Sequence, residues 1–334
     1  MATPTPVADD RGRWAMVLAG GEGVRLRPLV RQALGEDRPK QYVKLLGSRS
    51  LLRQTLDRVA LGFSAERTVV VTVRQHTAYI GEEFAGSSQP PYVLAQPDDR
   101  GTAAGILYAA HWIAGRDPAA TVAIFPSDHF ILGEATFMAH VADVARLLAR
   151  HPDRVVLLGA PPISPEGEYG WIEPGSPIDG DDGVVSTVRR FWEKPTEARV
   201  QMCLTSGCLW NTAIVVARVE ALLRLGAQAL PEMSARLARI QRFLDSEGEA
   251  AAVHQAYALM SKASFSRAVL EPHPERLGVS RLSRVTWCDL GSPRRVQDVL
   301  TRMRVRPAWA GRLDPPTPAP EPPAAPAVRS ATAR

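Results

Sequence analysis

The chain has 334 residues, 45% of them hydrophobic and 22% charged, with 40 Lys and Arg against 35 Asp and Glu for a net charge of +5. That is ample apolar material for one large α/β domain or two smaller ones without disulfide or metal staples. No apolar run approaches the ~18 residues of a membrane span, and the polar, proline-bearing stretch 1–13 lacks a secretory pattern, so a cytoplasmic location is expected.

Cys203, Cys208 and Cys288 make neither a disulfide framework nor paired zinc ligands. No His-Glu-x-x-His helix is present, which argues against a structural transition-metal site. The arginines are scattered, with much of the positive excess between Arg276 and Arg306 and no aromatic platform among them. Such a field suits phosphorylated small substrates better than nucleic acid.

Apolar runs at 14–19, 68–73, 92–96, 121–125 and 155–159 read as strands. Amphipathic helical patterns at 50–61, 102–114 and 135–150 fall between them, the last with Phe137, Val141, Val144 and Leu148 at helical spacing. This alternation predicts a mostly parallel sheet covered on both faces, with ligands at the carboxyl ends of its strands. Residues 169–191, broken by Gly175, Gly180 and Gly183, predict an antiparallel excursion. A strand at 209–217 and helices between 219 and 258 follow. The expected organisation is a flexible N-terminus (1–12), one catalytic-sized domain (13–311) and a disordered Pro/Ala-rich tail (312–334).

The first strand runs into Leu18-Ala19-Gly20-Gly21-Glu22-Gly23-Val24-Arg25-Leu26-Arg27-Pro28. Its glycines permit close backbone approach, its N–H groups can cradle phosphate oxygens, and Arg25 adds a permanent charge. It is neither the dinucleotide fingerprint nor the P-loop, since the third spaced glycine and the Gly-Lys-Ser/Thr ending are both missing. Read alone, it is also compatible with an ordinary strand-to-helix turn.

Four further segments carry chemistry. In Arg38-Pro39-Lys40-Gln41 the lysine either reaches a phosphate or is solvated. Asp128, in Pro126-Ser127-Asp128-His129 past a strand, is either an oxygen ligand for Mg²⁺ or a turn residue, and His129 reads as structural. Glu193 and Lys194, with Asn211 downstream, suit sugar hydroxyls and a phosphate, or else form a surface ion pair and a cap. Asp289 in Trp287-Cys288-Asp289-Leu290-Gly291-Ser292 is a second carboxylate whose convergence with Asp128 does not follow from spacing.

Taken in order, the glycine loop, Pro39-Lys40-Gln41, Arg100-Gly101-Thr102-Ala103, Pro126-Ser127-Asp128-His129, Tyr169-Gly170-Trp171-Ile172, Phe191-Trp192-Glu193-Lys194-Pro195, Leu209-Trp210-Asn211 and Trp287–Ser292 resemble the sugar-1-phosphate nucleotidyltransferases. The Pro-Lys-Gln and Leu-Trp-Asn elements look most like the mannose-1-phosphate guanylyltransferase group. The resemblance covers 14–299. It implies a Rossmann-like, glycosyltransferase-A-like α/β/α core and a Mg²⁺-dependent transfer of GMP from GTP to mannose 1-phosphate, giving GDP-mannose and pyrophosphate. A homodimer is implied on the same ground.

By the same resemblance, Gly20, Gly21, Gly23, Arg25, Lys40, Arg100 and Thr102 would bind the nucleotide, with Arg25, Lys40 and Asp128 catalytic. Asp128 and Asp289 would hold Mg²⁺, and Gly170, Glu193, Lys194 and Asn211 would bind the sugar phosphate. Departures from the family pattern fall at Val24, Arg27, Gln96, Gly101, Ala104, Thr212 and Ala213. A methyl at Ala213 would be strained if glycine torsion angles were needed there. After Asp298 no cupin-like isomerase domain is expected, and little β-helix. Two other readings stay open: a non-catalytic nucleotide-sugar-binding regulatory homologue, and a transferase for another sugar phosphate or nucleotide.

Overall fold

A computed structural model describes residues 12–178 and 184–312. The expected disordered tail (312–334), apart from its first residue, and the expected flexible N-terminus (1–12), apart from its last, lie outside the described residues.

The strands are β1 (Arg13–Leu18), β2 (Thr68–Val73), β3 (Tyr92–Gln96), β4 (Thr121–Pro126), β5 (Phe130–Leu132), β6 (Val155–Ala160), β7 (Gly170–Pro177), β8 (Val185–Glu193), β9 (Leu209–Arg218), β10 (Leu277–Arg281) and β11 (Thr286–Cys288). The helices are α1 (Arg27–Leu34), α2 (Leu51–Val59), α3 (Thr77–Phe84), α4 (Thr102–Ala114), α5 (Glu134–Leu147), α6 (Glu197–Thr205), α7 (Val219–Ala229), α8 (Pro231–Ala238), α9 (Glu249–Ala258) and α10 (Pro293–Met303). All five strands expected in the first half form within a residue or two of their predicted limits. β2 consists of valines and threonines buried on both faces, the pattern a central parallel strand requires.

One sheet takes the order β3-β2-β1-β4-β9-β6-β10-β8-β7. The pairs β3/β2, β2/β1 and β1/β4 are parallel, and β6/β10 is parallel again. β8 and β9 run against their neighbours. The sheet is therefore mixed and mostly parallel, as the strand–helix alternation predicts. The antiparallel excursion is the β7/β8 pair, with Gly170 opposite Glu193.

Helices cover both faces. One apolar cluster joins Met16, Val69 and Val71 to Leu107, Ile113, Leu222 and Tyr257. The other joins Val17, Val70 and Phe125 to Leu52, Phe137, Val141 and Cys203. α4 forms at the expected 102–114, but it is enclosed almost completely, with every residue from Ala103 to Ile113 buried, so it lacks the polar face expected of an amphipathic helix. A smaller cluster packs α1 and the 43–46 segment against α10 and Trp309. It brings the C-terminal Asp289 region back to the glycine loop.

β10, α10 and the two-stranded β5/β11 pair carry no clear sequence signal. β11 aligns Cys288 with Phe130, directly after the 126–129 turn. That pairing is what delivers Asp289 beside Asp128.

Candidate active site

The glycine loop follows β1 at the carboxyl end of the sheet and is braced by the Lys40–Tyr42 turn. The Gln41 side-chain amide donates to the carbonyls of Ala19 (3.0 Å) and Gly21 (2.7 Å), and the Tyr42 hydroxyl donates to Ala19 O at 2.9 Å. With these carbonyls engaged, the Gly20–Gly21 backbone faces the cleft. Gly23 has φ +59°, and a Cβ there would lie 3.0 Å from Lys40 N. Only glycine allows the loop and the lysine turn to approach this closely.

Lys40 is not solvated. Its buried ammonium donates to the carbonyl of Asp289 at 2.7 Å and lies 3.1 Å from Asp128 Oδ2. The two aspartates predicted from separate motifs therefore flank one cation, although they stand 161 positions apart in sequence. His129 has the structural part expected of it, since its Nδ1 accepts from Trp287 Nε1 at 3.2 Å. Burial pulls its pKa down, against the pull of Asp128.

Asp289 differs from the open metal ligand that the resemblance implies. Its carboxylate accepts from Arg295 Nη1 (3.0 and 3.2 Å), from the Tyr169 hydroxyl (2.8 Å) and from Gly291 N (3.0 Å). Arg25 Nη2 lies 3.7 Å away. Burial raises its pKa, but His129, Arg295, the Tyr169 hydrogen bond and Lys40 outweigh that and hold it below the usual carboxylate range. Asp128 is freer: it lines the cleft with its side chain a quarter exposed.

On the sugar side, Gly170, Glu193 and Asn211 meet. A Cβ on Gly170 would stand 3.0 Å from Glu193 Oε2 and 3.1 Å from Asn211 Cβ. Burial raises the pKa of Glu193, against Lys194 and Arg267, and Glu271 adds to the rise. Lys194 adopts φ +55°, with its N–H donating to Tyr169 O at 3.3 Å. Asn211 Oδ1 accepts from Ala213 N at 3.0 Å. Ala213 itself takes φ +57°, so the strain anticipated for a methyl at this position is present.

Glu168 joins the two halves. Its Oε2 lies 3.2 Å from Arg25 Nη1 and 3.8 Å from Lys194 Nζ. It holds together the cations assigned to triphosphate and to sugar phosphate, as a bridging phosphate oxygen would.

A cleft of about 490 Å³ opens from Gly20, Gly21 and Asp128 towards Asp99, Gly101 and Thr102. Gln96 is its floor: the side chain donates to Thr72 O and accepts from the Tyr257 hydroxyl. Gly101 has φ +84°, and a Cβ would fall 2.3 Å from Ala263 O. The departure from the family pattern at Gly101 is therefore a steric necessity in this chain. Val24, by contrast, is exposed on the loop's outer surface. Arg100 does not line the cleft, because its guanidinium turns to Asp98 at 3.4 Å. Its carbonyl accepts from Ala263 N instead. Thr102 does line the cleft, and its Oγ1 accepts from Phe265 N at 2.9 Å.

The Nucleotidyl transferase family profile matches residues 14–304. The chain belongs to the nucleotidyl transferase family. XanB, the xanthan biosynthesis protein of Xanthomonas campestris pv. campestris, is 34% identical over 209 residues, 61% of this chain and 42% of that protein. The mannose-1-phosphate guanylyltransferase of Klebsiella pneumoniae is 26% identical over 284 residues, 83% of this chain and 58% of that protein. The solved mannose-1-phosphate geranyltransferase of Thermus thermophilus superposes with a TM-score of 0.72 at 29% identity, covering 84% of this chain and 76% of the other. The chain thus spans 42% and 58% of the two curated relatives. Among the described residues, no helix is long and apolar enough to cross a membrane.

This nucleotidyl transferase uses several residues to which the sequence reading gave no role. Gln41 stood inside a motif already noted. Glu166, Glu168 and Tyr169 form an acidic-aromatic run whose charge was the available signal. Arg295 and the 262–265 segment had none, since tertiary packing alone carries them to the site.

Proposed function

We propose that the protein is a sugar-1-phosphate nucleotidyltransferase that forms GDP-mannose from GTP and mannose 1-phosphate. The observation that carries this reading is a continuous run of charged contacts beside the glycine-walled cleft, from Asp128 through Lys40 and Asp289 to Arg25, and from Arg25 through Glu168 to Lys194. A phosphate oxygen of the sugar phosphate attacks the α-phosphorus. The new P–O bond forms as the bond to the β-phosphate bridging oxygen breaks, and pyrophosphate leaves. No covalent enzyme intermediate is needed, so the chain's work is alignment and charge neutralisation. Lys40, fixed by two carbonyls and Asp128, supplies a preorganised positive charge. Arg25 and Lys194 exchange Glu168 for phosphate oxygens. Glu193 and Asn211 take the sugar hydroxyls.

The donor set fits Mg²⁺ in part. Asp128 offers carboxylate oxygen at the cleft wall, and Mg²⁺ needs few protein ligands when phosphates complete its shell. Asp289 would join only by releasing Arg295. When bound, the ion supplies Lewis-acid polarisation of the phosphates.

The test is pyrophosphate release across a panel of nucleoside triphosphates and sugar 1-phosphates, with product mass recorded. The expected result is turnover with GTP and mannose 1-phosphate that stops on chelation of the metal. Nucleotide-sugar binding without pyrophosphate release would instead establish the non-catalytic reading.

A further inference from the structure

The groups that handle phosphate lie at the ends of β1 and β4, and the sheet order continues from β1 through β2 to β3. With strands about 4.8 Å apart, the end of β3 lies about 14 Å from that of β4. A nucleotide whose phosphates sit at Gly20, Gly21 and Asp128 therefore points its base at the loop after β3. Two segments are stitched together there: Ala263 N donates to Arg100 O (3.0 Å), Ala103 N to Ala263 O (3.1 Å) and Phe265 N to Thr102 Oγ1 (2.9 Å). The stitched wall presents an ion pair to the same cleft, Asp99 Oδ2 with Lys262 Nζ. Asp99 Oδ1 accepts from Gly101 N at 2.8 Å, which fixes the carboxylate's orientation.

Guanine offers two adjacent donors, N1–H and the N2 amine, beside the O6 acceptor. A carboxylate next to an ammonium is the complementary set. Adenine places an acceptor at N1 and a donor at N6, and so opposes both members of the pair. We propose that Asp99 and Lys262 read the nucleobase, Asp99 accepting from N1–H and N2–H of guanine and Lys262 donating to O6. This rests on the reading of GTP as the nucleotide substrate. Burial raises the Asp99 pKa, but the Lys262 and Gly101 hydrogen bonds and the charges of Lys262 and His76 outweigh it. The carboxylate is thus held ionised, ready to accept charge-assisted hydrogen bonds. Gln96 also borders the cleft, but it is buried and tied to Thr72 and Tyr257 as floor, whereas the Asp99 and Lys262 side chains are exposed.

The test compares GTP with ITP, which lacks only the N2 amine, alongside ATP and UTP. kcat/KM for pyrophosphate release is measured for the full chain and for Asp99→Asn. The wild type should favour GTP over ITP about tenfold to a hundredfold, the range of one charge-assisted hydrogen bond, and Asp99→Asn should bring the ratio near one. Lys262→Ala should weaken GTP and ITP alike, because both carry O6. A GTP/ITP ratio unchanged in Asp99→Asn, with GTP still the substrate, would overturn this inference and leave the proposed function standing. Turnover with another nucleotide and none with GTP would overturn both. If no nucleotide turns over, the ratio of GDP to IDP affinities by calorimetry, in wild type and Asp99→Asn, decides the point in the same way.

Discussion

The two halves of the site are built from different materials. The nucleotide half of the proposed site is framed by main chain, on which Arg25, Lys40, Asp99 and Lys262 are mounted: glycines in the loop after β1, carbonyls tied down by Gln41 and Tyr42, and a wall stitched by backbone hydrogen bonds between 100–103 and 263–265. The sugar-phosphate half of the proposed site is side chain: Glu168 and Tyr169 just before β7, Glu193 and Lys194 at the end of β8, and Asn211 on β9. There, Lys194 and Ala213 hold left-handed backbone conformations that favour glycine. A phosphate chain is recognised by repeating N–H groups and fixed charge, which a backbone provides. A sugar ring needs directional acceptors and donors at several angles, which only side chains drawn from different strands supply.

Four substitutions probe this division. An effect as large as any is expected where the halves meet. Asp289→Asn removes the buried charge facing part-buried Arg295 and should cost about 2 kcal/mol of stability at neutral pH, less than for breaking a fully buried pair. Because the folded pKa of Asp289 is lowered, its contribution is fully present above its unfolded value near 4 and is lost as pH falls through the folded value. Urea unfolding at pH 7 and pH 3 should therefore show the two proteins converging in acid. An equal gap at both pH values would show that the cost is steric rather than ionic.

Next, two glycines on the nucleotide side separate structure from binding. Gly101→Ala drives a Cβ into Ala263 O and should destabilise by about 2 kcal/mol. Gly21→Ala meets nothing within 4 Å, so stability should stay within about 0.5 kcal/mol. The nucleotide KM of this variant should nevertheless rise about tenfold, since the methyl occupies space that the phosphates need. Unchanged KM in Gly21→Ala would remove this loop from the triphosphate site.

The smallest effect belongs to the sugar side. Ala213→Gly relieves a left-handed alanine and should raise the urea midpoint by the equivalent of about 1 kcal/mol. Loss of stability would show that the methyl's packing outweighs its backbone strain.

The sequence by itself marked the glycine loop and the lysine turn of the proposed nucleotide half. Strand–loop–helix order, the glycines and the Pro-Lys-Gln triplet are local signals, and local backbone chemistry is what they specify. The alternation of apolar strands with helical patterns likewise announced a sheet covered on both faces. Only the tertiary structure decided how the distant motifs meet. The β5/β11 pairing sets Asp289 beside Lys40, and α10 supplies Arg295 to occupy its carboxylate. The return of 262–265 to the loop after β3 builds the base wall. The first and last of these placements depend on which surfaces pack together across more than a hundred residues of chain, and no spacing along the sequence encodes that distance.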